Sequence, residues 1–153
     1  MKMSTRIVSQ KNDKRLSRWD NLSKIWQIDF AFRSPYERRQ ALIELDVISC
    51  MALRLTKKDL LTFYQSQFPV LRKFEDGTYY DQNGQIVFTV NPGLPGVGLA
   101  RKYFEQIKDL KVDDNIPEWA TDNYKRPFVP PFDRCDREKD YEEVWKEFER
   151  RFK

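Results

Sequence analysis

Histidine is absent from all 153 residues, and that gap removes whole classes of chemistry. Without imidazole there is no Ser–His or Cys–His nucleophile pair and no His-based zinc site. Only 2 cysteines are present, Cys50 and Cys135, too few for a thiolate metal site. Far apart in sequence, they read as lone reduced thiols of a cytosolic protein. Glycine holds 5 positions and proline 8, which excludes fibrous and low-complexity classes. No apolar run approaches the ~20 residues of a membrane span, and the first ten residues lack the apolar core of a secretory leader. The expectation is a cytoplasmic protein that keeps off membranes. Nothing calls for a cofactor or a metal, and catalysis would have to rest on carboxylates, lysine or tyrosine.

What is abundant is aromatic: 4 Trp, 7 Tyr and 11 Phe, enough large side chains to fill the core of one ordinary domain. Charge is unevenly spread. Residues 1–40 hold ten Lys/Arg against four Asp/Glu, and residues 41–153 hold eighteen against twenty. A basic arm on a near-neutral body suits a polyanionic partner, and equally a solvated surface segment. Within that arm Leu16, Trp19, Leu22, Ser23 and Trp26 fall on one side of a helix predicted from Lys11 to Trp26. Trp19 and Trp26 therefore anchor the arm, either to the body or to a partner protein. A short strand is expected from Ile28 to Phe32, before the Ser34-Pro35 break.

The stretch Pro35–Phe74 reads as two packed helices joined by a capped turn. Ala41, Leu42, Leu45, Ile48, Ala52 and Leu55 recur at three- and four-residue spacing, as on a helix burying one face. Thr56 with Asp59 makes an acidic capping box, and Leu55 with Leu60 has the spacing of a hydrophobic staple. Leu60, Leu61, Tyr64 and Phe68 form the second apolar stripe, which Pro69 ends. Thr78-Tyr79-Tyr80, a turn at Asn83-Gly84 and a strand Gln85 to Val90 then predict a β-hairpin. A Gly/Pro loop from Asn91 to Leu99 leads to a short helix, Tyr103 to Leu110. Residues 112–132 run extended over the surface, pinned by Trp119, Tyr124 and Phe128. From about Asp136 a last helix carries Tyr141, Val144, Trp145, Phe148 and Phe152 on one stripe. The expected fold is α+β: a helical hairpin, a small antiparallel β-hairpin or three-stranded sheet, and a long C-terminal amphipathic helix. Residues 1–28 are a basic arm and 29–153 a single domain.

Arg38, Ala41, Leu45, Asp46, Leu53, Leu55, Thr56, Asp59, Leu60, Phe68, Pro69 and Val70 also carry a likeness. With the blocks Tyr80 to Lys102 and Pro130 to Trp145, they resemble the C-terminal region of large adenine-specific DNA methyltransferases of bacterial restriction–modification and phage-defence systems. The resemblance spans most of residues 29–148. It implies a non-catalytic accessory or specificity-type segment, held to a larger methyltransferase or defence-system chain and contributing to contact with double-stranded DNA. The alternative is an interaction subunit that never touches DNA. The catalytic motifs of that family are not matched. Leu94-Pro95-Gly96-Val97-Gly98 and Val129-Pro130-Pro131-Phe132 follow the family's order, but Val129 has no polar atom to accept a hydrogen bond from a flipped adenine. The acidic pairs Asp113/Asp114 and Glu142/Glu143 sit in no setting that would tune a carboxylate for catalysis.

For DNA the candidates are Lys57 and Lys58, which oppose the dipole of their own helix unless a phosphate docks there. Arg33, Arg38, Arg39, Arg72, Lys73, Arg101 and Lys102 flank the same elements and could extend a basic track.

Overall fold

The computed structural model describes residues 25, 27, 31–90, 97–112, 114–121 and 127–152. The arm helix, Trp19, Trp26 and Tyr124 lie outside the described residues, as does most of the Ile28–Phe32 strand; Ala31 and Phe32 are in no strand. The architecture is mixed α+β. Helix α1 (Pro35–Ala52), α2 (Lys57–Gln67) and α3 (Pro69–Asp76) lead into strands β1 (Tyr79–Tyr80) and β2 (Ile86–Phe88). Helices α4 (Arg101–Ile107) and α5 (Glu118–Thr121), strand β3 (Asp133–Arg134) and helix α6 (Arg137–Phe152) complete the order.

Local chemistry sets each boundary. Ser34 caps α1, with Pro35 following it; the Ser34 hydroxyl accepts from Glu37 N, and the Glu37 carboxylate accepts from Ser34 N. Thr56 and Asp59 form the expected box at the head of α2. Pro69 does end α2, yet it also opens α3, because a ring that lacks an N–H costs nothing in the first helical turn. The sheet is antiparallel throughout, in the order β2-β1-β3. Tyr79 pairs with Phe88 and with Arg134 on either side, and a register shift separates Tyr79 from Tyr80 on the β2 side. At the hairpin turn Gly84 takes φ 75°, and its carbonyl accepts from Tyr36 N at 3.1 Å. A Cβ there would meet Ser34 Oγ at 2.7 Å, so glycine is required by both conformation and space. The turn sits on the head of α1.

Asp81 is the hub of this corner. Fully buried, its carboxylate accepts from Asn83 N, Gln85 N and Val129 N at 2.9, 2.8 and 3.1 Å. Gln82 adds a bond from its backbone N to Val129 O. The extended segment is thereby tied to the hairpin.

Two hydrophobic cores result. Ile43, Val47, Cys50, Leu60, Tyr64, Tyr141, Trp145 and Phe148 join α1, α2 and α6. Val87, Phe88, Phe104, Ile107, Ala120, Phe128 and Phe132 join β2, α4, α5 and the extended segment. Phe128 and the partly buried Trp119 pack into this core as expected, but the run expected to be extended is broken by helix α5, which carries Trp119.

One expectation is corrected. The face of α1 that is buried consists of Arg39, Gln40, Ile43, Val47 and Cys50. Leu42 and Leu45 are 56% and 58% exposed, and Ile48 is exposed with them. Ile43, Val47 and Cys50 repeat at helical spacing just as the other set does, so periodicity alone allowed either face inward. Polar partners decide: Arg39 on the buried side and the half-exposed Asp46 meet charges of α3 and α6. Phe68, assigned to the stripe of α2, is also exposed, since the chain turns there into α3.

Candidate partner and nucleic-acid interface

A buried charge cluster holds α1 in its rotational position. Glu75 Oε1 of α3 accepts from Arg137 Nη1 of α6 at 2.6 Å and lies 3.5 Å from Arg39 Nε. Arg39 Nη1 donates to Asp140, while Arg137 Nη2 reaches Asp46 at 3.1 Å. Tyr141 OH donates to Asp46 at 2.6 Å and accepts from Arg137 Nε at 2.8 Å. The Arg137 guanidinium also lies over the Tyr64 and Tyr141 rings, 5.7 and 5.3 Å from their centroids. Among the described residues Arg39 Nε and Nη2 make no hydrogen bond; the contact of Nε with Glu75 is one of charge, without the alignment of a bond. Arg39 is therefore corrected from a DNA contact to a buried structural cation, 6% exposed.

The outward face of α1 carries Leu42, Leu45 and Ile48. Beyond its C-terminal end the face continues into an open groove of about 590 Å³. Ile48, Met51, Ala52, Leu55, Trp145, Phe148 and Phe152 supply its apolar walls, and Arg54 and Glu149 its charges. Phe152 is 70% exposed at the rim, and Leu53 is exposed nearby. Scattered apolar side chains on a surface need no explanation, but a row of them running into a groove does.

The basic residues do not gather into one track. Arg33 and Arg38 are exposed at the head of α1, whereas Lys57 and Lys58 follow its tail. From Arg38 to Ala52 the helix rises about 20 Å, so these are separate places. Lys58 is exposed, Lys57 is half-buried, and neither is in an ion pair among the described residues. The start of α2 is already partly filled, however. Asp59 Oδ2 accepts from Thr56 N at 2.8 Å and Thr56 Oγ1 at 2.6 Å, and Thr56 Oγ1 accepts from Asp59 N. Those bonds hold the Asp59 carboxyl below its ordinary range. Of the four unpaired amides at the helix head, the box leaves those of Lys57 and Lys58 for an outside anion.

On α3, Arg72 lies over the Tyr64 ring and 3.9 Å from Glu138, while Lys73 is exposed. Arg101 and Lys102 are exposed on α4, which packs on the other core: Arg101 lies over Phe88 at 5.2 Å and Lys102 over Tyr103 at 4.6 Å. Among the described residues no group of three or more His, Cys, Asp or Glu could hold a metal ion, and no helix is long and apolar enough to cross a membrane.

Sequence reasoning missed two features. The charge cluster has no signal in spacing, because Glu75, Arg137 and Asp140 meet Arg39 only through the fold. The exposed Tyr103 and its partner Trp119, with rings 5.3 Å apart, were individually visible but not as a pair. No family model matches the chain, and neither a curated protein nor a solved structure does.

Proposed function

We propose that this chain is a non-catalytic accessory subunit of a DNA methyltransferase complex of the restriction–modification or phage-defence kind. It seats itself on a larger methyltransferase or defence-system chain and contributes to DNA contact. The observation that carries the reading is the outward face of α1, where Leu42, Leu45 and Ile48 stay in solvent and run into the groove beside Phe152. An apolar row of this kind is what a partner helix or sheet buries. The resemblance over residues 29–148 names the partner's class, and it includes Leu45 of that face.

Purified from its native host, the chain should bring down a large protein bearing a Phe-x-Gly-x-Gly loop and an Asn-Pro-Pro-Tyr motif. Leu45→Glu should abolish that co-purification while changing stability by no more than about 0.5 kcal/mol, the usual range for an exposed site. Recovery of the partner by the variant, or its absence from the wild type, overturns the assembly role.

DNA contact is assigned to Lys57 and Lys58. Wild-type binding to duplex DNA should weaken steeply with salt, and the Lys57→Glu/Lys58→Glu variant should flatten the log–log salt slope by about 2, close to one unit per phosphate lost. A second reading, assembly without DNA contact, is favoured by Asp59, which already occupies part of that helix start. Salt-insensitive or absent duplex binding decides for it.

A further inference from the structure

Given the assembly role proposed above, on which this rests, we infer that the groove between α1 and α6 takes an amphipathic helix of the larger chain. The helix lays its apolar stripe in the groove, and an Asp or Glu beside that stripe pairs with Arg54. The end of α1 supplies the first observation. Leu55 N donates to Cys50 O and Arg54 N to Met51 O, each at 3.0 Å, the two closing bonds of a Schellman motif. That motif needs one left-handed residue, and Arg54 provides it at φ 58°. Glycine is the usual occupant, because a Cβ there crowds the following carbonyl. The turn gains nothing from arginine, so its side chain is explained by where it stands.

It stands on the groove. Arg54 is exposed and lines the cavity of about 590 Å³ together with Ile48, Met51, Leu55 and, from α6, Trp145 and Phe152. Among the described residues its side chain makes no ion pair. The other charge of the groove is already engaged, since Glu149 Oε1 accepts from Trp145 Nε1 at 3.0 Å. What faces a visitor is an apolar trough with one unanswered positive charge, and the complement of that is an apolar stripe carrying an acid. A helix is the form that fits. Both walls are helices that present side chains and no strand edge, so an extended segment finds no backbone partner there, whereas a helix brings its own hydrogen bonds. A nucleic-acid phosphate answers Arg54 but leaves the apolar walls in water.

The test puts the photo-crosslinker p-benzoylphenylalanine in place of Phe152 in the full chain, irradiates the complex purified from the native host and identifies the linked peptide by mass spectrometry. That peptide, synthesised with a fluorescent label, is then the binding probe. It should come from the large chain, show apolar residues at i, i+3, i+4 and i+7, and carry an Asp or Glu beside them. Arg54→Glu should weaken its binding roughly tenfold or more by setting like charges together, and replacing the peptide's acid with lysine should restore binding to that variant alone. Arg54→Gly should weaken binding by up to about 5-fold, the worth of one exposed ion pair, yet melt about 2–4 °C higher because glycine relieves the left-handed strain. An arginine serving the turn alone would not move affinity and stability in opposite directions. Unchanged binding by Arg54→Glu overturns the inference, as does a linked peptide with no acid. A link to a second copy of this chain, or to its own residues 1–24, overturns it in favour of that occupant. If Leu45→Glu abolishes co-purification but nothing links at Phe152, the assembly role stands and this inference falls; if the wild type brings down no large chain, both fall.

Discussion

Replacing Glu75 with alanine is expected to lower the free energy of unfolding by about 3–5 kcal/mol, a large share of the 5–15 kcal/mol typical of a whole domain. The reason is what remains behind. Arg39 and Arg137 are only 6% and 7% exposed at their side chains, and Glu75 lies against both of them. Among the described residues, removing it leaves Arg39 with Asp140, already short of hydrogen bonds at Nε and Nη2, and Arg137 with the half-exposed Asp46. A buried cation that loses its counter-charge cannot regain water without opening the fold. Urea denaturation, followed by far-UV circular dichroism, reads the change as a lower midpoint at a similar slope. Glu75→Gln keeps the volume and two hydrogen-bonding groups and should cost less. A loss below about 1 kcal/mol for Glu75→Ala would mean that the cluster is hydrated in solution.

The second large effect is expected at alkaline pH. Burial pushes the Cys135 thiol up from 9.0 to about 12, with Arg39 opposing and Asp140 and Glu75 assisting. Burial likewise raises Tyr80 from 10.0 to about 12, and Tyr64 and Tyr141 also rise, again chiefly by burial. Each group is neutral when protonated, and the folded chain holds that proton more tightly than the unfolded chain does. The associated stability is therefore complete below the unfolded value and is lost as pH climbs through the folded one. Stability should be level up to about pH 9, then fall between pH 9 and 12 by a few kcal/mol. Denaturant midpoints at stepped pH measure it. Cys135→Ala should lessen the fall without moving its onset past about 9, because burial also raises the Cys50 thiol, with Asp46 and Asp59 assisting. A flat profile to pH 11 would show that these groups reach solvent.

The parts of the fold that could be read from sequence are those whose cause lies within a few residues. Thr56 and Asp59 meet across three residues, Asn83-Gly84 is a turn in itself, and Tyr141, Trp145 and Phe148 mark one side of one helix. The Ser34/Glu37 box was equally local; its cue was present in Ser-Pro-x-Glu. Helix α3 was hidden because Pro69 signals an end and a beginning alike. The orientation of α1 was illegible for a different reason. The helix is apolar on two sides, and what selects between them is Arg39 meeting Asp140, 101 residues away. The candidate site shares that fate. Arg39 was indistinguishable from Arg38 as a basic neighbour until the fold buried one and exposed the other, and Tyr103 found Trp119 only through the second core.

That long-range dependence has a consequence during synthesis. The first described helix is completed by the last, since α6 supplies Tyr141, Trp145 and Phe148 to the core beneath α1. Contacts of such separation form late. As the chain leaves the ribosome, α1 emerges with both apolar sides bare, and its inner side, met first by Leu60 and Tyr64 of α2, is not closed until residues 137–152 arrive. Its outer side is available throughout. A partner that takes Leu42, Leu45 and Ile48 at that stage would index the helix before its own core closes, making assembly and folding one event rather than two.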